Sequence, residues 1–179
     1  EAERKRQLVA AEAKRKAEED ERKRNTESQH DLGYKAYEEE KDYDKALRIL
    51  KPLAMKGHGE SQFYLGQIYR LGPAKTGPPQ DYQKAMMWFK KVAENGDASP
   101  YRRSQGFWWV DLMYKAGQGV PASLDMRIKW LRKGVEALAA DKQAINMLLF
   151  NLGSANQYAS NEGGTDNYVK AYMWYTLSE

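Results

Sequence analysis

Few residues in this chain have the type and spacing that chemistry requires. There are only two histidines, His30 and His58, and no cysteine. A zinc or thiolate centre needs several His, Cys or carboxylate ligands at short, characteristic intervals, and neither histidine has such a neighbour. Both read as ordinary surface or groove side chains, and no metal site is expected. Lys75-Thr76 invites a phosphate-loop reading, but the Gly-x-x-x-x-Gly that must precede it is absent. Gly117-Gln118-Gly119 follows a helical pattern instead of a strand, so it is not a dinucleotide fingerprint. Neither Gly-x-Ser-x-Gly nor His-Glu-x-x-His occurs. Glu38, Glu39, Glu40, Asp42 and Asp44 form a carboxylate cluster that lacks the glycine and spacing of a calcium loop. It reads as a solvated turn placing favourable negative charge at a helix start. No cofactor is implied.

The remaining candidates for recognising a ligand are aromatic. Trp108 and Trp109 stand near Asp111, with Glu60 further upstream. Indole faces suit sugars, and a carboxylate pair suits glycoside hydrolysis. Such a pair must sit about 5 Å or about 6.5–9.5 Å apart, and nothing in the sequence fixes that separation. A carbohydrate-binding, small-ligand or glycan-directed enzymatic role therefore stands only as the alternative to a non-catalytic one.

The elements that would position these residues announce themselves by repetition. Asp81-Tyr82-Gln83-Lys84-Ala85-Met86-Met87-Trp88-Phe89 has an earlier partner in Asp42-Tyr43-Asp44-Lys45-Ala46-Leu47 and a later one in Asn167-Tyr168-Val169-Lys170-Ala171-Tyr172-Met173-Trp174-Tyr175. Arg127-Ile128-Lys129-Trp130-Leu131 is a weaker copy. Trp88, Trp130 and Trp174 thus recur at a period of roughly 40 residues, the signature of a helical array. A small-residue helix precedes each copy: Leu32-Gly33, Leu65-Gly66 with Tyr69, Asp111 with Tyr114, and Leu152-Gly153. Gly inside a helix costs about 1 kcal/mol relative to Ala, so its recurrence suggests a neighbouring helix too close for a Cβ. Asp42 and Asp81 are expected N-caps, Ser99-Pro100 a further helix start, and Pro52 a kink or end of regular bonding.

The pattern Leu-Gly-x-x-Tyr, a Gly/Pro loop, Asp-Tyr-x-Lys-Ala-x-x-Trp and Ala-x-x-Gly-Asp resembles the Sel1-like repeat (SLR), a longer-loop relative of the tetratricopeptide repeat. Leu65, Gly66, Tyr69, Gly72, Asp81, Tyr82, Ala85, Trp88, Phe89, Ala93, Gly96 and Asp97 carry it best. Repeat three departs from the pattern with Asp111 in place of Gly. The resemblance implies an all-α fold, a right-handed α-α superhelix of about four helix pairs. Units fall at residues 28–57, 58–97, 98–139 and 140–179, the last incomplete, after a charged helical extension over 1–27. That extension carries Glu/Lys or Asp/Arg pairs at i, i+4, such as Glu19/Lys23, each worth about 0.2–0.5 kcal/mol to a helix.

The resemblance also implies a protein-interaction scaffold or adaptor, often bacterial, with envelope assembly, signalling, secretion, host contact and inhibition of a cognate toxin all open. The compartment stays open too, with periplasm or secretion ahead of cytoplasm. Setting Gly33, Gly66, Asp111 and Gly153 in register directs Tyr34, Tyr37, Phe63, Gln67, Arg70, Trp108, Lys115 and Gln157 toward the concave groove. Recurrent aromatics such as Trp88 and Phe89 are expected in the core; for Phe63 and Trp108 both inter-repeat packing and the groove stay open. A protein or peptide partner is expected. Nucleic acid is not, because the net charge of +4 is spread among interspersed acids and bases. No apolar run approaches the roughly 18 residues of a membrane span. Self-association through the N-terminal helix or an uncapped last repeat stays open.

Overall fold

A computed structural model describes residues 1–160 of the backbone and the side chains of residues 1–156. Among these, every regular element is an α-helix: α1 (Ala2–Glu38), α2 (Tyr43–Met55), α3 (Gly59–Leu71), α4 (Tyr82–Glu94), α5 (Pro100–Ala116), α6 (Leu124–Ala137) and α7 (Lys142–Ser160). The expected second helix of repeat four lies outside the described residues. So do Tyr168 and Trp174.

Helix starts follow local chemistry. The first backbone N–H groups of a helix lack intrahelical acceptors, and a short side-chain oxygen can satisfy one of them. Asp42 accepts from Lys45 N, Asp81 from Lys84 N, and Asp141 from Ala144 N, each at 2.9 Å. Ser99 and Ser123 do the same for α5 and α6 at 3.2 Å, and Pro100 occupies the first turn of α5. His58 was expected as an ordinary surface or groove side chain. It instead caps α3 through its ring nitrogen, which accepts from Ser61 N at 3.3 Å. Pro52 sits in the last turn of α2, and the helix continues to Met55 despite it. The loop after α3 folds back on the turn between α1 and α2: Thr76 donates its hydroxyl to Asp42 Oδ1 at 2.6 Å, and Tyr43 N donates to Thr76 O at 3.2 Å.

Packing follows the repeat. α1, α3 and α5 each pair with the second helix of their own unit, and α1, α3, α5 and α7 also touch in succession. Among the described residues, α2, α4 and α6 make no comparable contact with one another. First helices therefore form the inner layer of a curved stack, the all-α superhelix expected of the sequence. Gly66 explains itself. A Cβ there would lie 2.6 Å from Phe89, whose ring is fully buried between the helices. At Gly33 the intruder is Leu50, at 2.5 Å. Trp88, Phe89 and Tyr114 are buried as the repeat predicts, while Tyr69, Tyr82 and Trp130 are half-buried at cluster edges.

Repeat three solves the same contact differently. Asp111 stands where Gly is usual, and Arg127 where repeats one and two have Ala46 and Ala85. The two exceptions meet: Arg127 Nε donates to Asp111 Oδ1 at 2.8 Å, with Asp111 fully buried. Asp111 Oδ2 has no hydrogen-bond partner among the described residues. Burial pushes the Asp111 carboxyl above its ordinary pKa, outweighing the opposing pull of Arg127.

The charged extension and the first repeat helix are one unbroken rod of 37 residues. Residues 1–19 are all exposed, and burial begins near Gly33. Of the expected pairs in this segment, Glu19–Lys23 closes at 2.8 Å. No described helix is long and apolar enough to cross a membrane.

Candidate partner-binding groove

The inner layer carries a continuous run of rings. Tyr34 and Tyr37 of α1 approach Tyr64 of α3 at 5.3 and 5.1 Å between centroids, and Tyr37 stacks on Tyr43 at 5.3 Å. Tyr64 meets Phe63, which meets Phe89 edge-on at 6.0 Å. Phe89 stacks on Trp109 of α5 at 5.3 Å, and Trp109 touches Trp108 at 5.0 Å. Each such pair adds about 0.5–1.5 kcal/mol beyond its area, so the ribbon is stiff as well as apolar. Burial raises the phenol pKa of Tyr64 and pushes Tyr37 up to about 12, so both stay neutral donors.

Two guanidinium groups lie on this ribbon. Arg102 sits 4.3 Å from the Phe63 centroid, forms an ion pair with Glu60, and donates to Gln105 Oε1 at 2.6 Å. Arg70 sits 4.3 Å from the Trp109 centroid and donates its Nε to Gln67 Oε1 at 2.9 Å. Partial burial lowers the Arg70 pKa from its ordinary value, with the phenols of Tyr37, Tyr82 and Tyr43 opposing.

The residues directed to the groove by register thus divide. Tyr34 is exposed, Tyr37, Arg70 and Trp108 are half-buried, and Lys115 is exposed. Phe63 and Gln67 are buried. They support Arg102 and Arg70 from below and offer little surface of their own. Trp108 also packs against the α5–α7 core. The side chain of Gln157 lies outside the described residues. Register missed Tyr64, Trp109 and Arg102. Arg102 is mostly buried, because α5, with 17 residues to the 13 of α3, has an extra turn that lays it across Phe63.

Other candidate chemistry is not assembled. Asp111 is fully buried and Glu60 is held by Arg102, so the two carboxylates do not face a common open surface. His30 and His58, remote in sequence, come within 5.0 Å as rings. Even so, no group of three or more His or carboxylate residues suited to a metal exists among the described residues.

A Sel1 repeat model matches residues 26–58, 59–97, 112–137 and 148–178. Two solved structures are similar. One is a protective antigen of uropathogenic Escherichia coli displaying an SLR fold, 30% identical, with a TM-score of 0.62 over 91% of this chain and 31% of that one. The other is a Sel1 repeat protein from Oxalobacter formigenes, 24% identical, with a TM-score of 0.60 over 84% of this chain and 56% of that one. The chain therefore spans about a third and just over half of these two. No curated protein matches it. Sel1-repeat proteins are generally protein-interaction scaffolds, and their fold is typically non-catalytic. The matched repeats, together with the stacked helix pairs, make this chain a member of the Sel1-repeat family.

Proposed function

We propose that the chain is a non-catalytic scaffold that holds a protein or peptide partner against the inner face of α1, α3 and α5. The observation that carries this reading is the aromatic ribbon from Tyr34 to Trp108, in which Tyr34, Tyr64, Trp109 and Trp108 keep exposed ring surface over buried Phe63 and Phe89, crossed by Arg70. Tyr, Trp and Arg are the residue types that dominate binding energy at interfaces, and rigid rings lose little entropy when they bind. Catalysis has less support, because among the described residues Asp111 is buried and Glu60 is held by Arg102, which leaves no carboxylate pair facing the groove. Both similar structures are bacterial, which supports a bacterial adaptor. Affinity capture with mass spectrometry, comparing the wild type with Arg70→Ala/Trp108→Ala, tests the reading. Partners held by the wild type and lost by the variant, with helicity unchanged, support it. Identical partner sets would remove the groove.

A further inference from the structure

We propose that Arg70, seated on Trp109, is the docking cation for an acidic side chain, Asp or Glu, of the bound partner. This rests on the groove reading and gives it a chemistry.

Three arginines of the inner layer and its core invite comparison. Arg127 is neutralised by Asp111, and Arg102 by Glu60. Arg70 shares the half-buried, ring-stacked setting of Arg102, yet it has no carboxylate partner among the described residues. Its one side-chain hydrogen bond takes Nε and leaves the Nη edge without an acceptor among them. Gln67, which makes that bond, is itself buried, so the guanidinium plane is fixed. Partly desolvated charge is costly when unpaired, and a fixed guanidinium fork matches a carboxylate with two parallel hydrogen bonds. Lys115, at the equivalent position of the next inner helix, is exposed and adds positive potential at the same level of the stack. Tyr37, close enough to act on the charge of Arg70, and Trp108, which touches Trp109, suit apolar neighbours of the acid.

The probe is the blocked tripeptide acetyl-Phe-Glu-Phe-amide, titrated at millimolar concentrations while the indole N–H resonance of Trp109 is followed. Two analogues complete the set: one with Gln for Glu, and that Gln peptide with a free C-terminal carboxylate. The Glu peptide is expected to bind at least 5-fold tighter than the blocked Gln peptide, a difference the fixed charge pair readily supplies. Arg70→Gln should erase the preference, and Arg70→Lys should keep part of it, since charge survives but the fork does not. Equal affinities of the two blocked peptides, no perturbation of Trp109, or a preference that survives in Arg70→Gln would each overturn the proposal. Tighter binding of the free-carboxylate peptide than of the Glu peptide would overturn the choice of a side chain over a chain terminus. If captured partners depend on the groove while the tripeptides show no charge preference, the groove stands and the docking cation falls. A charge preference without captured partners gives the reverse.

Discussion

Removing Arg127 should expose the cost hidden in repeat three. Asp111 is fully buried, one oxygen bound to Arg127 at 2.8 Å and the other without a hydrogen-bond partner among the described residues. Arg127→Ala leaves that carboxylate alone, and breaking a buried pair costs about 3–5 kcal/mol. Asp111 has an escape that Arg lacks, because it can bind a proton. Its pKa is already raised by burial, and loss of Arg127 raises it further. The native state then holds more protons than the unfolded chain between the ordinary and the raised value, so stability falls as pH rises through that window, by up to about 1.4 kcal/mol per pH unit. Asp111→Ala strands a permanent cation and should cost a similar 3–5 kcal/mol with little pH dependence. Asp111→Ala combined with Arg127→Leu replaces the pair with apolar volume and should lie within about 2 kcal/mol of the wild type. Urea unfolding followed by circular dichroism at pH 5 and pH 8 reads all of this. At an m-value of about 2 kcal/mol/M, each single variant should lower the midpoint by about 1.5–2.5 M. Single variants within about 0.5 kcal/mol of the wild type, or an Arg127→Ala loss identical at both pH values, would refute the reasoning.

Further outcomes follow from packing and capping. Gly66→Ala gains about 1 kcal/mol of helix propensity but drives a Cβ to 2.6 Å from the Phe89 ring, an overpacking cost of about 1–3 kcal/mol. Net destabilisation is expected by urea unfolding, whereas Gly96→Ala, with open space around it, should be neutral or stabilising. His58 caps α3 only when its ring nitrogen is free, and burial with the nearby His30 depresses its pKa, against Glu27 and Glu60. The unfolded chain therefore binds the proton more readily, and stability should drop as pH falls below about 6.5. His58→Asn should keep the cap and flatten that slope in melting curves between pH 5 and pH 8. Deleting residues 1–18 removes only exposed side chains, so unfolding free energy should change by less than about 0.5 kcal/mol; a larger loss by chemical denaturation would mean that the rod packs on something.

The repeat period, the acidic caps and Gly66 were legible because each reports a local rule or, as at Gly33 and Gly66, a contact that recurs between units. Facing side chains were less so. Phe63 and Tyr64 are neighbours on one helix, yet Phe63 meets Phe89 of α4 while Tyr64 meets Tyr34 and Tyr37 of α1. Arg102 reaches Phe63 because of an extra turn, and His30 meets His58 because α1 crosses the start of α3. Such encounters depend on the rise and twist between units, which no single unit encodes. Asp111 and Arg127 were each visible as exceptions to the repeat; that the two compensate each other needed coordinates.

The unbroken α1 also makes the solenoid a goniometer. Each residue of an α-helix advances about 1.5 Å and turns about 100°. A fluorophore or domain rigidly joined ahead of Ala2 would share the axis of the first repeat helix, at an azimuth set by residue count. Deleting one exposed residue from the charged segment would swing that cargo by more than a quarter turn about the axis while leaving the stack untouched.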